Sequence, residues 1–348
     1  MSGHERDMLS PGEIREVIAH YAIARPVTAE PLGRGSRQSA KSRLRTPRGD
    51  FLLKRRAPRK SAPELVAFIH RFHAHLDART VPVAHLMRTA DGATSVRAPH
   101  GVYELSQWVE GTRWSRSVAD AAAVGVVVGE VLRAAEEFGE AADAPTASFH
   151  ASPSGANALA LAAEHAARAD PQADHAAVEA AVASLAQRLA RATEAGRAAG
   201  IERTPRRCIH GDMHPGNVLF AAGRVRALLD FDGARLDWRA CEVANAAMHF
   251  ANEPIAGLPP EAWRAELETG RLTAVMAGVE RGLRVPLLPE ERRAVPWLMI
   301  EACILESAVP IARTGRFAHL RADAFLPFIE RKTAWIESNA TAIGSVVG

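Results

Sequence analysis

Cysteine is scarce in this chain and badly spaced for pairing. The three, Cys208, Cys241 and Cys303, are odd in number and far apart, and no CxxC pair exists. That argues against a zinc ribbon or a thioredoxin-type redox site and points to a reducing compartment. Aromatic residues supply only 5% of the chain. Long stretches are instead rich in Ala, Arg and Glu, which favours helix over sheet for most of the length. Long apolar runs are missing too: the most apolar stretch, residues 121–128, is bounded by Asp120 and Glu130 and is too short to span a bilayer. Residues 1–10 are polar and lack the apolar h-region of a signal peptide. A soluble, cytoplasmic protein with no membrane partner is the expectation. The fourteen histidines include no HExxH, so a zincin is not suggested.

Net charge is also small, +3, and requires no nucleic-acid partner. Its distribution is uneven. From Arg34 to Lys60 there are eleven Lys or Arg and one acid, Asp50, a local +10 that leaves about −7 for the remainder. The basic stretch has only Phe51 as an aromatic, so the interleaving expected of a single-strand nucleic-acid binder is absent. What is plentiful is apolar content, 47% over 348 residues, enough to bury a large core without disulfides.

Along the chain, Ser10-Pro11-Gly12-Glu13 reads as a capping box with Pro at N1, opening a helix that ends before Pro26. Residues 27–56 are short runs broken by glycine and proline, with a hairpin turn at Arg48-Gly49-Asp50 between strands near 38–46 and 50–56. Ser61-Ala62-Pro63-Glu64 opens a second helix whose apolar face is Leu65, Phe68, Ile69, Phe72 and Leu76. Residues 83–89 and 101–109 read as two further strands. Beyond Gly111, helices are expected near 118–138, 156–169, 174–198, 238–252, 260–281, 290–313 and 321–338. A strand pair, Val218–Phe220 and Val225–Leu229, interrupts them. The fold class implied is α+β: a small antiparallel sheet with one helix, then a large helical lobe.

The ends of that strand pair carry the chemistry. Ile209-His210-Gly211-Asp212-Met213-His214-Pro215-Gly216-Asn217 precedes the first strand, and Asp230-Phe231-Asp232 follows the second. Oxygen donors from Asn217 and Asp230 suit Mg²⁺, a hard cation that keeps several waters. Asp212 is then free to meet a substrate hydroxyl. Phosphoryl transfer needs those parts: metal across the phosphates and a carboxylate that orients the nucleophile. Asp and Asn in loops are more often turn or cap residues; the complete spacing tips the balance.

The segment resembles the HGDxHxxN catalytic loop and following acidic metal motif of the aminoglycoside phosphotransferase and choline kinase superfamily, which shares the protein-kinase-like fold. The similarity runs over about residues 27–310, and its texture is nearest to homoserine-kinase-type, spore-coat-kinase-like and stress-kinase-like members. The resemblance implies a bilobal kinase-like architecture. Residues 1–26 would be an N-terminal helix, 27–106 the lobe that roofs the nucleotide, 107–111 the hinge, and 112–348 the helical lobe with a catalytic loop at 208–220 and a metal motif at 228–232. It implies Asp212 as catalytic carboxylate, His210 and His214 as supports of its loop, and Asn217, Asp230 and Asp232 at the metal. ATP would be the co-substrate and Mg²⁺ the cofactor. Lys54 would hold phosphates, with Arg55 and Arg56 as alternatives; alternation puts Lys54 on the strand face shared with Leu52 and Arg56. Glu64, the sole acid between Asp50 and Asp77, is the expected partner of Lys54. Gly33, Gly35 and Ser36 would cover the phosphates, and backbone near Gln107 and Val109 would meet adenine. Glu242 or Asp237 would brace the loop. Of the basic stretch only Lys54 is given a specific role; most of its arginines are expected on solvated strand faces.

A small-molecule kinase is therefore expected, its acceptor an amino alcohol, aminoglycoside or sugar. The negative balance of the helical lobe favours a cationic acceptor. A protein Ser/Thr kinase is disfavoured because only eight residues separate Asp230 from the helix expected at Trp238. A non-catalytic nucleotide-binding scaffold is disfavoured by the presence of Asp212, Asn217, Asp230 and Lys54 together.

Overall fold

The structure, a computed structural model, describes residues 8–26, 28–33, 39–138, 142–253 and 257–346. Helix α1 (Pro11–Ile18) begins with the expected capping box: the Glu13 amide donates to Ser10 Oγ at 3.2 Å, and the Ser10 amide to Glu13 Oε2 at 3.0 Å. Strands β1 (Thr28–Pro31), β2 (Lys41–Thr46) and β3 (Gly49–Arg55) follow, then α2 (Pro63–Ala78), β4 (Val96–Ala98) and β5 (Gly101–Gln107). They form one antiparallel sheet in the order β1-β2-β3-β5-β4.

The alternation of β3 divides the lobe. Phe51 and Leu53 point to a small core shared with Ile14, Val17, Leu44, Tyr103 and Leu105. Arg55, on the same face, pairs with buried Glu13 of α1, which also accepts from Tyr103 Oη at 2.6 Å. Leu52, Lys54 and Arg56 look the other way, into the cleft between lobes. Helix α2 belongs to the larger core: Phe68 and Phe72 pack against Phe138, and Phe72 against Phe231.

One sheet expectation fails. Residues 83–89 form no strand; they make single bridges, Val83 to Leu228, Leu86 to Ser106 and Thr89 to Tyr21, and the strand on the side of β5 away from β3 is β4. The buried apolar residues there, Ala84 and Leu86, fill the seam between lobes rather than a sheet face.

The helical lobe contains α3 (Val118–Phe138), α4 (Pro153–Ala169) and α5 (His175–Ala199). The strands β6 (Arg206–Ile209), β7 (Val218–Ala221), β8 (Arg224–Leu228) and β9 (Arg235–Trp238) come next. Then follow α6 (Arg239–Ala251), α7 (Thr269–Gly282), α8 (Pro289–Thr314), the small β10 (Arg316–Phe317) and β11 (Leu320–Arg321) pair, α9 (Ala322–Ser338) and α10 (Ala340–Ser345). Helix α7 starts later than the apolar pattern suggested, because Pro260–Ala262 is a separate 3₁₀ turn and Glu268 caps the true helix. Helix α8 is apolar enough over 18 residues to cross a membrane by composition, yet 78% of that window is buried inside the protein. It is the central core helix, contacting α4, α5, α6 and α9.

Two β pairings set the geometry of the loops at the seam. β7 pairs with β8 and β6 with β9, so the loops after Ile209 and after Leu228 open at the same edge. The Leu229 amide donates to the Asn217 carbonyl at 2.8 Å and the Leu228 amide to the Pro82 carbonyl at 2.7 Å, which ties the hairpin to the upper lobe.

Candidate active site

A cleft of about 1000 Å³ runs along the seam, lined from above by Lys41, Leu52, Lys54 and Glu104 and from below by Asp212, Asn217 and Asp230. Its lower edge is a loop held by backbone contacts. His210 is fully buried; its Nε2 donates to the Leu229 carbonyl at 3.0 Å, and its Nδ1 accepts from the Asp212 amide at 3.3 Å. Gly211 has φ of +75°, and a Cβ there would lie 2.3 Å from the Gly233 carbonyl oxygen, so no other residue fits. Both ends of this residue are secured. The Gly211 amide donates to Glu242 Oε2 at 2.8 Å, and its carbonyl accepts from Arg235 NH1 at 3.0 Å, with Arg235 Nε donating to Asp237. Glu242 and Asp237 thus both brace the loop, the first directly and the second through Arg235. Burial raises the Glu242 carboxyl pKa, and the neighbouring His210 offsets only part of that rise.

Asp212 projects from this brace with half its side chain exposed. Asn217 Nδ2 donates to the Asp212 carboxylate at 2.9 Å and to its carbonyl at 3.0 Å. His214 Nε2 stands 3.6 Å from Asp212 Oδ2, while His214 Nδ1 accepts from the Gly216 amide. Burial works to raise the Asp212 pKa, but hydrogen bonding and charge from His214 outweigh it and leave the group lowered. It is a carboxylate at neutral pH.

The upper face is a knot of ion pairs. Asp230 sits in the left-handed region at φ 62°, a conformation that costs a non-glycine residue of order 1 kcal/mol and here aims its carboxylate upward. Lys54 Nζ lies 3.0 Å from Asp230, 3.0 Å from Asp232 and 3.3 Å from Glu104. Lys41 Nζ meets the other Asp230 oxygen at 3.0 Å. Arg56 bridges Glu104 and Asp232, and Lys60 Nζ donates to the Asp232 carbonyl. Burial opposes the charge on Lys54, yet the carboxylates of Glu104, Asp230 and Asp232 drive its pKa upward. Burial likewise opposes ionisation of Asp230, and Lys54 and Lys41 hold its pKa low.

Several sequence expectations meet here and some do not. Asp212, His214, Asn217, Asp230 and Lys54 line one cleft, while His210 is buried beneath their loop and Asp232 joins them through Lys54. Glu64 does not: it is exposed in the first turn of α2, and the carboxylate beside Lys54 from the upper lobe is Glu104, directly across β3–β5 in register. The contact α2 does make with Glu104 comes from His70 Nε2, at 3.0 Å. Gly33 lines the cleft, whereas Gly35 and Ser36 lie outside the described residues. Gln107 and Val109 both line it, and the Gln107 amide donates to the His85 carbonyl at 2.8 Å. Arg55 and Arg56, the alternatives to Lys54, are buried in ion pairs. Glu104 had one visible signal, an acid interrupting the apolar run Val102–Leu105. Lys41 and Arg235 had none.

The donor set suits a hard divalent cation. Asp230 and Asn217 offer oxygen, with no thiolate near, and two ammonium groups already place positive charge on Asp230. With Nδ2 engaged by Asp212, Oδ1 is the Asn217 atom left for such an ion. Among the described residues no cluster of three or more His, Cys, Asp or Glu forms a ready-made cage. A cation here would take further oxygens from phosphate and water.

Known proteins resemble this chain in sequence and in fold. A sequence model described as the phosphotransferase enzyme family matches residues 28–279. A homoserine kinase of Acidiphilium cryptum (strain JF-5) is 28% identical over 236 residues, 67% of this chain and 68% of the relative. Among solved structures, the amicoumacin kinase hAmiN in complex with AMP-PNP, Ca²⁺ and Ami superposes with a TM-score of 0.69 at 14% identity, over 93% of this chain and 94% of the other. A microcompartment-associated aminopropanol kinase gives 0.67 at 14% identity, over 96% and 99%. These structures share the bilobal, protein-kinase-like fold.

Proposed function

The chain belongs to the phosphotransferase enzyme family of small-molecule kinases, and from that premise we propose that it transfers the terminal phosphoryl group of ATP to a hydroxyl of an amine-bearing acceptor, with Asp212 as catalytic carboxylate. The observation that carries this reading is a division of labour among the cleft carboxylates. Asp230 and Asp232 are occupied by cations of the upper lobe, while Asp212 faces the cleft, ionised and half-exposed, with Asn217 and His214 as its side-chain polar partners among the described residues. It is the group placed to orient an acceptor hydroxyl and take its proton. The acceptor oxygen forms its bond to phosphorus as the bond to the ADP oxygen breaks, and the hydroxyl proton passes to Asp212. Mg²⁺, held by Asp230 and Asn217, would neutralise phosphate charge when bound. Lys54, fixed by three carboxylates, is ready for phosphate contact.

The amine preference rests on Glu306, which lies behind the cleft-lining His249. The His214 ring is tilted at 59° to that of His249, with ring centres 5.9 Å apart. His249 Nε2 donates to Glu306 Oε2 at 2.8 Å, and buried Asn245 donates to Glu306 Oε1 at 2.6 Å. Glu306, partly exposed and held from two sides, offers an ammonium group a fixed carboxylate. The test is ADP release with Mg·ATP over amino alcohols, hydroxy amino acids, aminoglycosides and neutral sugars. Acceptor-dependent release with amine-bearing alcohols is expected, and Glu306→Gln should raise KM for them about tenfold with kcat nearly unchanged. Equal turnover of neutral sugars, or no acceptor-dependent release at all, would contradict the reading.

A further inference from the structure

Lys41 opens β2 directly opposite Lys54 of β3. Like charges directly across a strand pair repel. Here the arrangement persists because Asp230 stands between them, one carboxylate oxygen on each ammonium at 3.0 Å. The two lysines are not equivalent. Lys54 keeps Glu104 and Asp232 if Asp230 is withdrawn. Lys41 has Asp230 as its sole carboxylate partner among the described residues, and the adjoining residues 34–38 contain no acid.

A cation bound by Asp230 must compete with Lys41 for the same carboxylate. Once displaced, Lys41 is a largely buried ammonium, 13% exposed, at the end of the cleft beside Leu32 and Gly33. A charge so placed needs a new anion. The group that arrives together with the cation is a polyphosphate. We propose that Lys41 is an exchangeable counter-cation: it holds Asp230 in the free protein and moves to the terminal phosphates when the metal–nucleotide complex binds. This rests on the reading of Asp230 as a metal ligand. It makes Lys41 a second phosphate-binding residue, and it makes the free protein a weak binder of the metal alone.

The two roles have opposite signs in one variant, which a purely structural lysine would not produce. Mn²⁺ binding to the nucleotide-free protein is measured by electron paramagnetic resonance. Mg·AMP-PNP and adenosine binding are measured by calorimetry. Lys41→Met should bind Mn²⁺ alone about tenfold tighter, bind Mg·AMP-PNP about tenfold weaker, and bind adenosine as the parent does, which also reports an intact fold. Lys41→Arg should recover most of the AMP-PNP affinity and gives a second variant should the methionine form fail to fold. If either the Mn²⁺ or the AMP-PNP affinity of Lys41→Met equals that of the parent, the exchange is overturned. Should Lys54→Met alone weaken AMP-PNP, the phosphotransferase reading stands and the Lys41 proposal falls. A parent protein that binds no AMP-PNP overturns both.

Discussion

Lys332 shows how far a single side chain can work against the fold that contains it. It is 3% exposed, its Nζ donates to Asn252, and the Phe328 ring centre lies 5.4 Å away. No carboxylate pairs with it among the described residues. Burial pushes its pKa down to about 8, with Cys303 opposing slightly. Below pH 8 the amine is protonated in both states, so the folded state bears the whole penalty of a buried charge. Between pH 8 and 10.5 the folded protein sheds the proton first, unfolding takes one up, and stability rises with pH. Above 10.5 the penalty is gone. Lys332→Met should therefore be more stable than the parent at pH 7 by about 2 kcal/mol, and the advantage should shrink toward pH 10.5. Urea denaturation at pH 7, 9 and 10.5 measures this; a variant less stable at pH 7 would contradict it. Legibility in the sequence also varied by residue. Asp212, Asn217 and Asp230 could be found because they lie within one short segment of fixed spacing. Glu104 could not be paired with Lys54, because 50 residues separate them and only strand register brings them together. Glu64 is the sole acid between Asp50 and Asp77, but it sits at a helix N-terminus that faces water, away from the site.

Helices were readable as elements wherever one apolar stripe repeated over several turns, as in α3, α5, α8 and α9. Strand positions at the seam were not. Residues 83–89 have the apolar content of a strand, but they are buried between lobes, so burial and pairing part company there. Nor could the sequence show which helices touch most closely. Helices α3 and α7 meet backbone to backbone through Gly125 and Gly129 on one and Gly278 and Gly282 on the other. A Cβ on Gly278 would lie 2.4 Å from the Ala122 carbonyl oxygen, and one on Gly125 only 2.1 Å from that of Val275. Backbone cannot rotate away as a side chain can. Gly278→Ala should thus lose about 2 kcal/mol, since overpacking outweighs the roughly 1 kcal/mol gained in helix propensity. Gly344→Ala, where the nearest non-local atom is 3.5 Å away, should be neutral or slightly stabilising. Thermal unfolding of the two variants side by side checks the contrast, and equal shifts would contradict it.

At the scale of the molecule, the charge asymmetry of the sequence becomes a structural joint. The basic stretch sends Lys41, Lys54, Arg56 and Lys60 into the cleft, where they meet Asp230 and Asp232 of the lower lobe and Glu104 of the upper. Arg43 and Arg45 pair with Asp50 and Glu30 on the sheet's rim. The roof is therefore anchored to the floor through the groups that phosphate and metal would claim. On the proposed reading, nucleotide binding would draw on the contacts that hold the seam. The most direct test of the central claim is phosphorus NMR of one sample holding protein, Mg·ATP and an amine-bearing alcohol. The account predicts ADP together with a phosphomonoester whose phosphorus couples to the acceptor's carbon-bound protons, and neither product with Asp212→Asn, which should still bind nucleotide. Inorganic phosphate as the sole new phosphate besides ADP, or undiminished ester formation by Asp212→Asn, would contradict it.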